Sequence, residues 1–217
     1  MKYTIFNWLF FGGLLVLFLF WHGAFESRLE QDEIERIVAA YQSQNPKSDG
    51  KVLRQFLDED DGKPVLMVNA IKQYPKPIEV NGKTFGETSD EALAEYTGYI
   101  FPYLIKRGSY PLFSGIASAN SLESWGIDNA EEWTSGAVVR YRSRRVLAEM
   151  VTNPDFARFH DAKIAAMQKT FAFPTTSMIS VGNLTLTVFF ALLSGALGMQ
   201  LLINRKKRTK HQTESHP

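Results

Sequence analysis

The sequence predicts an α+β protein: a ferredoxin-like (split βαβ) domain with an N-terminal helical stem, flanked by two transmembrane helices. Three observations predict it. Charged residues make up 22% of the 217-residue chain, yet residues 3–25 and 170–204 contain no Lys, Arg, Asp or Glu. The middle alternates short apolar runs with helical periodicity in the order strand, helix, strand, strand, helix, strand. Finally, 45% hydrophobic residues, 15 Gly, 9 Pro and no Cys exclude a collagen, a disordered chain and a disulfide scaffold.

The first charge-free run, TIFNWLFFGGLLVLFLFWHGAF, is long enough at about 1.5 Å per residue to cross ~30 Å of hydrocarbon. It is read as an anchor over residues 1–25 rather than a cleaved signal. A cut after Ala24 would put His22 where a small residue is required. A stem over residues 26–63 follows. Leu29, Ile34, Ile37, Val38 and Tyr41 stand at helical spacing directly after the span, and Val52, Leu53, Phe56 and Leu57 suggest a short second helix before the turn DEDDGKP.

The domain proper is assigned to residues 64–177. PVLMVNAIK is short, apolar and bounded by Pro and charged turns, as a buried strand should be. QYPKPIEVNGKTFGETS carries Pro and Asn-Gly turn formers and reads as an extended loop or small hairpin. Ser89 or Asp90 is expected to cap the next helix, which ends at Gly108 and is kinked at Pro102. SYPLFSGI and TSGAVVRYRS read as strands. SRRVLAEMVTNPDFARFHDAKIAAMQKT is helical with a break at Asn153-Pro154, and FAFPTTS is a last short strand. Helices then cover one sheet face, and a second copy is the simplest cover for the other. The second span occupies residues 178–204 and a basic tail residues 205–217, where Ser194 and Gly198 form a small-xxx-small pair weakly favouring helix association.

Charge sets the orientation. Arg205, Lys206, Lys207, Arg208 and Lys210 follow the second span, Lys2 precedes the first, and the segment between the spans holds 18 Lys and Arg against 22 Asp and Glu. Both termini are therefore expected in the cytoplasm of a multi-pass protein of the inner (cytoplasmic) membrane, with the acidic middle periplasmic or extracellular. The lipid bilayer is the expected partner of the basic tail, and nucleic acid is excluded as a partner of the acidic domain.

MVNAIK, EALAEYTGYIFPYLIKRG, EEW, VVRYRSRRVLAEMVTNPDF and HDAKIAAM together resemble the DUF1330 family of the dimeric α/β-barrel superfamily, over residues 64–174. Asn69, Tyr96, Gly108, Trp133, Arg140, Tyr141, Ser143, Arg144, Pro154 and Phe156 fall on positions of the family's pattern. The chain departs from it at Arg142, where the family carries Pro, at Thr134, where Asp follows the Trp, and at Phe156, where Tyr is usual. The resemblance implies a homodimer formed sheet to sheet around a cavity. It implies no particular reaction, because that superfamily holds oxygenases, decolorising peroxidases and members without known chemistry.

Five residues form the candidate ligand-binding set: Asn69, Tyr96, Trp133, Arg140 and Tyr141. Asn69 is an amide inside an apolar strand. Alternation puts it with Val65, Met67 and Ile71, opposite Leu66, Val68 and Ala70. Its functional reading is a hydrogen-bonding group in a cavity at the sheet face, and its ordinary reading is a satisfied structural amide. Arg140 shares a strand face with Arg142, away from Val139 and Tyr141, and either guanidinium suits a carboxylate ligand or a plain ion pair. Tyr96, Tyr99, Phe101 and Tyr103 form an aromatic cluster whose ordinary role is core packing. His160-Asp161 has neither a second exported His nor HExxH spacing, so no metal and no cofactor is expected. The expected function is an exported dimeric binding or interaction module. A cofactor-independent oxygenase or isomerase working in the same cavity, with catalytic residues unassigned, and a purely structural membrane subunit are the alternatives.

Overall fold

The computed structural model describes residues 2–46, 49–126, 128, 132–178 and 183–214. The chain divides into two compact units, Met1–Phe25 with Met178–Pro217, and Glu26–Ser177.

The first unit is a pair of antiparallel helices, α1 (Lys2–His22) and α7 (Leu184–Glu214). Both contain stretches long and apolar enough to cross a membrane, with mean hydropathy 1.9 and 2.0. Gly23 ends α1 at φ 93°, and the amides of Gly23 and Ala24 both donate to the Leu19 carbonyl, at 3.1 and 3.0 Å. Only a residue without Cβ adopts that left-handed closure freely. The helices meet where α7 is smallest. Asn7 Nδ2 donates to the Ala196 carbonyl at 3.0 Å, and a Cβ on Gly195 would lie 2.8 Å from the Phe11 ring. Ser194 is exposed and nothing lies within 4 Å of where a Gly198 Cβ would be, so the small pair singled out in the sequence points away from α1.

The second unit is a mixed α+β body built on one four-stranded antiparallel sheet in the order β2–β3–β1–β4. Its strands are β1 (Val65–Gln73), β2 (Tyr110–Ile116), β3 (Ser135–Tyr141) and β4 (Met167–Thr175). In the β1–β3 register Val65 opposes Tyr141, Met67 opposes Val139 and Asn69 opposes Ala137. Directly opposed residues share a face. Val65, Met67, Asn69, Ile71, Val139 and Tyr141 therefore lie together, and Leu66, Val68, Ala70, Val138 and Arg140 lie on the reverse. The first set faces the helices, because Val65 and Tyr141 are buried with Ile100, Leu104, Leu147 and Met150.

Those helices are α4 (Ser89–Lys106), α5 (Arg144–Val151) and α6 (Pro154–Ala166). Thr88, not Ser89 or Asp90, caps α4. Its hydroxyl accepts from the Glu91 amide while Glu91 returns a bond to the Thr88 amide, a full capping box. The helix continues through Pro102 and closes at Gly108 (φ 68°), where the Ser109 amide reaches the Leu104 carbonyl at 2.9 Å. Ser143 and Asn153 cap α5 and α6. Tyr99 and Phe159 stack at 4.0 Å between α4 and α6. The Asn81-Gly82 pair, with φ 51° and 72°, closes a small turn bridged between Val80 and Lys83, as its sequence suggests.

Two boundaries differ from the sequence reading. Helix α2 (Gln31–Gln44) does not follow α1 directly, because residues 26–30 form no helix. Strand β4 starts at Met167, inside the stretch read as helix, with Tyr74 and Ile78 amides held by the Ala166 and Ala165 carbonyls at the turn.

Helices α2 and α3 (Lys51–Asp58) join the same body: Ile34, Val38 and Leu57 are buried against Ala148 of α5. Three arginines after β3 hold this segment. Arg142 and Arg145 both reach the Glu26 carboxylate, Arg145 Nε lies 2.6 Å from Glu33, and Arg144 donates to the Phe56 carbonyl with its guanidinium 4.8 Å from the Phe56 ring.

Candidate functional site

A cavity of about 430 Å³ lies inside the second unit, between the helix-facing side of the sheet and helices α4, α5 and α6, with Tyr41 of α2 at its wall. That size is within the range of small-molecule sites. Its floor is β1 and β3, its roof the Tyr96 face of α4, and one wall is α6. The cavity anticipated around Asn69 is therefore covered by this chain's own helices and is separate from the uncovered sheet face. The physical reason is that Asn69 shares its face with Val65, Met67 and Ile71, the side that buries the core.

Asn69 lines the cavity. Its Nδ2 donates to the carbonyls of Met67 (3.0 Å) and Ala137 (3.4 Å), which fixes the amide orientation. Among the described residues its Oδ1 has no hydrogen-bond donor, so the strand presents one acceptor to the cavity. Tyr96 and Tyr141 line it from above and below. Burial pushes the Tyr96 phenol up to about 12 and raises Tyr141 as well, so both are protonated donors near neutrality. The Tyr141 hydroxyl stands 4.0 Å from the Met150 sulfur, a weak acceptor. Phe101, grouped with the core aromatics in sequence, lies at the cavity and is 37% exposed.

Two of the five candidates lie elsewhere. Arg140 opposes Leu66 and Tyr110 on the reverse face, where Nη1 donates to the Gly108 carbonyl at 2.9 Å and the guanidinium lies 5.4 Å from the Tyr110 ring. Burial lowers its pKa, and its local task is to tie the end of α4 to β3. Trp133 precedes β3, outside the cavity lining, with the Lys169 ammonium 4.9 Å from its ring. Next to it Thr134 spends its hydroxyl on β1: it donates to the Ile71 carbonyl and accepts from the Gln73 amide, both at 3.0 Å.

Sequence reasoning missed the α6 wall. Phe156, His160 and Lys163 project into the cavity from successive turns. Burial, assisted by the Lys163 charge, lowers the His160 pKa; burial alone lowers that of Lys163. The i, i+4, i+7 spacing of these residues was the available signal. No cluster of three or more His, Asp or Glu fit to hold a metal occurs among the described residues.

No family model and no curated protein matches the chain. Two solved structures do. One is RPA0582, a protein of unknown function from Rhodopseudomonas palustris, at TM-score 0.50 and 22% identity, spanning 60% of this chain and 94% of that one. The other is methylated RPA0582, at the same TM-score and identity over 61% and 93%. Likeness at this identity is a likeness of fold.

Proposed function

We propose that this chain is a two-span protein of the inner membrane that displays an exported, dimeric binding domain for a small, largely apolar molecule. The observation that carries the reading is the cavity of about 430 Å³, whose mainly apolar lining brings together the Asn69 acceptor, the Tyr96 and Tyr141 donors, and His160 and Lys163 of α6. Few, convergent polar groups in an apolar hollow are the usual make-up of a ligand site.

The strand order supports a ferredoxin-like, DUF1330-type domain: β1 and β2 run parallel to one another, joined through α4 and separated by β3. The motif positions named above support the same family reading. The uncovered face supports pairing through the sheet, since Phe113, Phe171 and Phe173 stand 58, 57 and 40% exposed beside Leu66, Val68 and Val138. Acidic surroundings after α1 and the basic residues ending α7 support cytoplasmic termini.

An isomerase or cofactor-independent oxygenase is the second reading. It is favoured by His160 of α6, whose pKa burial lowers, lining the same cavity as the phenols of Tyr96 and Tyr141.

Native mass spectrometry of the full chain released from membranes tests the main reading. It should give a dimer carrying a bound small molecule, and the molecule should be lost in Ala137→Phe, which fills the floor beside Asn69. A monomer overturns the pairing; a ligand retained in Ala137→Phe overturns the site. A reporter fused after Pro217 should be active in the cytoplasm, and export of it would reverse the topology.

A further inference from the structure

We infer that the molecule held in this cavity is an organic acid with one carboxylate on an apolar body, and that Lys163 receives the carboxylate. The inference rests on the binding reading above and names the ligand's chemistry.

The observation is a contrast in how cations are satisfied. Arg142 and Arg145 share Glu26, Arg145 also holds Glu33, Arg144 takes the Phe56 carbonyl, and Lys72 is paired with Glu132. Lys163 is partly buried too, yet no carboxylate among the described residues comes within ion-pair distance of it. Its neighbour is the Tyr96 ring, 5.7 Å from Nζ. Asp161, two residues away on the same helix, is engaged by the Asn81 amide at 3.2 Å through both its oxygens. The described lining of the cavity contains no Asp or Glu at all, and Lys163 is its single lysine or arginine.

A cation held among apolar side chains without an anion is costly, and the cost is recovered when an anion arrives. That makes the ligand the missing partner. Its charge should be single. A phosphate monoester carries about −1.5 to −2 at neutral pH and would bring a second charge into a hollow with one ammonium. Its body should be apolar, because the lining is mainly apolar, with Met67, Ile71, Leu93, Phe101, Val139 and Phe156 among it. Tyr96 and Tyr141 remain available as donors to the carboxylate or to a further oxygen of the ligand, and Asn69 Oδ1 as acceptor for a ligand hydroxyl or N–H.

The test uses the full chain in phosphatidylcholine nanodiscs and two matched probes, 4-phenylbutyrate and 4-phenylbutyramide, titrated calorimetrically at pH 7. Expected is at least about tenfold tighter binding of the acid, the scale of one charge-assisted hydrogen bond. Lys163→Met should erase the preference while leaving amide binding in place, and Lys163→Arg should keep it. Equal binding of acid and amide by the unaltered protein overturns the carboxylate inference and leaves the cavity reading intact. Binding of neither probe overturns both. The wild-type comparison stands even if Lys163→Met fails to fold, and preference for the acid persisting in a folded Lys163→Met moves the headgroup site away from α6 and overturns the assignment.

Discussion

The residues that end β3 and those that line α6 handle positive charge in opposite ways. After β3, Arg142, Arg144 and Arg145 are each matched by protein: Glu26, Glu33, Glu59 and the Phe56 carbonyl surround them. On α6, Lys163 faces a cavity whose described lining holds no carboxylate, and its Nζ lies 5.7 Å from the Tyr96 ring. The first arrangement ties chain segments together, since Glu26 and Glu33 come from residues more than a hundred positions earlier. The second leaves one valence open. The lesson is that the same kind of side chain, at similar partial burial, acts as a structural clamp or as a binding group according to whether the fold supplies its anion.

Glu26→Ala breaks the clamp and should have the largest effect. The Glu26 side chain is only 9% exposed and serves two guanidinium groups, so its removal leaves the partly buried Arg142 without a carboxylate and Arg145 with Glu33 alone. A loss of about 2 kcal/mol is expected, below the 3–5 of fully buried pairs because Arg142 and Arg145 are 27 and 20% exposed. Thermal unfolding of the detergent-solubilised chain, followed by tryptophan fluorescence, reads it. A melting temperature equal to wild type would mean that the network is ornamental.

Lys163→Met should move stability the other way. Replacing an unpaired ammonium in an apolar wall by a thioether of similar length removes a desolvation cost, and a gain of about 1 kcal/mol is expected in the absence of ligand. The same melting experiment measures it. Destabilisation by this substitution would show that Lys163 is already satisfied, and the contrast with the arginines would collapse.

Much of this was legible in the residues, and the failures have causes. Alternation in VLMVNAIK placed Asn69 correctly with Met67 and Ile71, and Gly108 marked the end of α4, because both are local rules of pleat and φ. The side of the sheet on which Arg140 would fall depended on its pairing with Leu66, a contact between distant segments that no local pattern encodes. Thr88 was overlooked although Thr-Ser-Asp-Glu is a complete capping box; two other good cap residues stood next to it. Met167–Thr170 looked helical because AAMQKT has high helix propensity, and the β4 pairing with β1 overrode it. Lys163 was invisible for a deeper reason. On an amphipathic helix a lysine is ordinarily solvated, and only the distribution of carboxylates in three dimensions shows that this one has none. The role of Arg142 emerged the same way: its partner Glu26 lies in the segment before α2, more than a hundred residues earlier.

The smallest expected effect couples His160 to the same open charge. Burial lowers its folded pKa first, the nearby Lys163 charge lowers it further, and Asp161 acts in the opposite direction. The unfolded chain titrates this imidazole near 6.5. Below about that pH the unfolded state binds a proton that the folded state resists, so stability present above 6.5 is lost as pH falls toward the folded value. The slope from one such group is at most about 1.4 kcal/mol per pH unit. Unfolding midpoints measured between pH 7 and 5 should therefore fall less steeply in His160→Gln than in the wild type. Lys163→Met should flatten the wild-type slope part of the way, because it removes the second of the two causes. A slope unchanged in Lys163→Met would mean that the ammonium points away from the imidazole, and with it away from the wall that the organic acid is inferred to occupy.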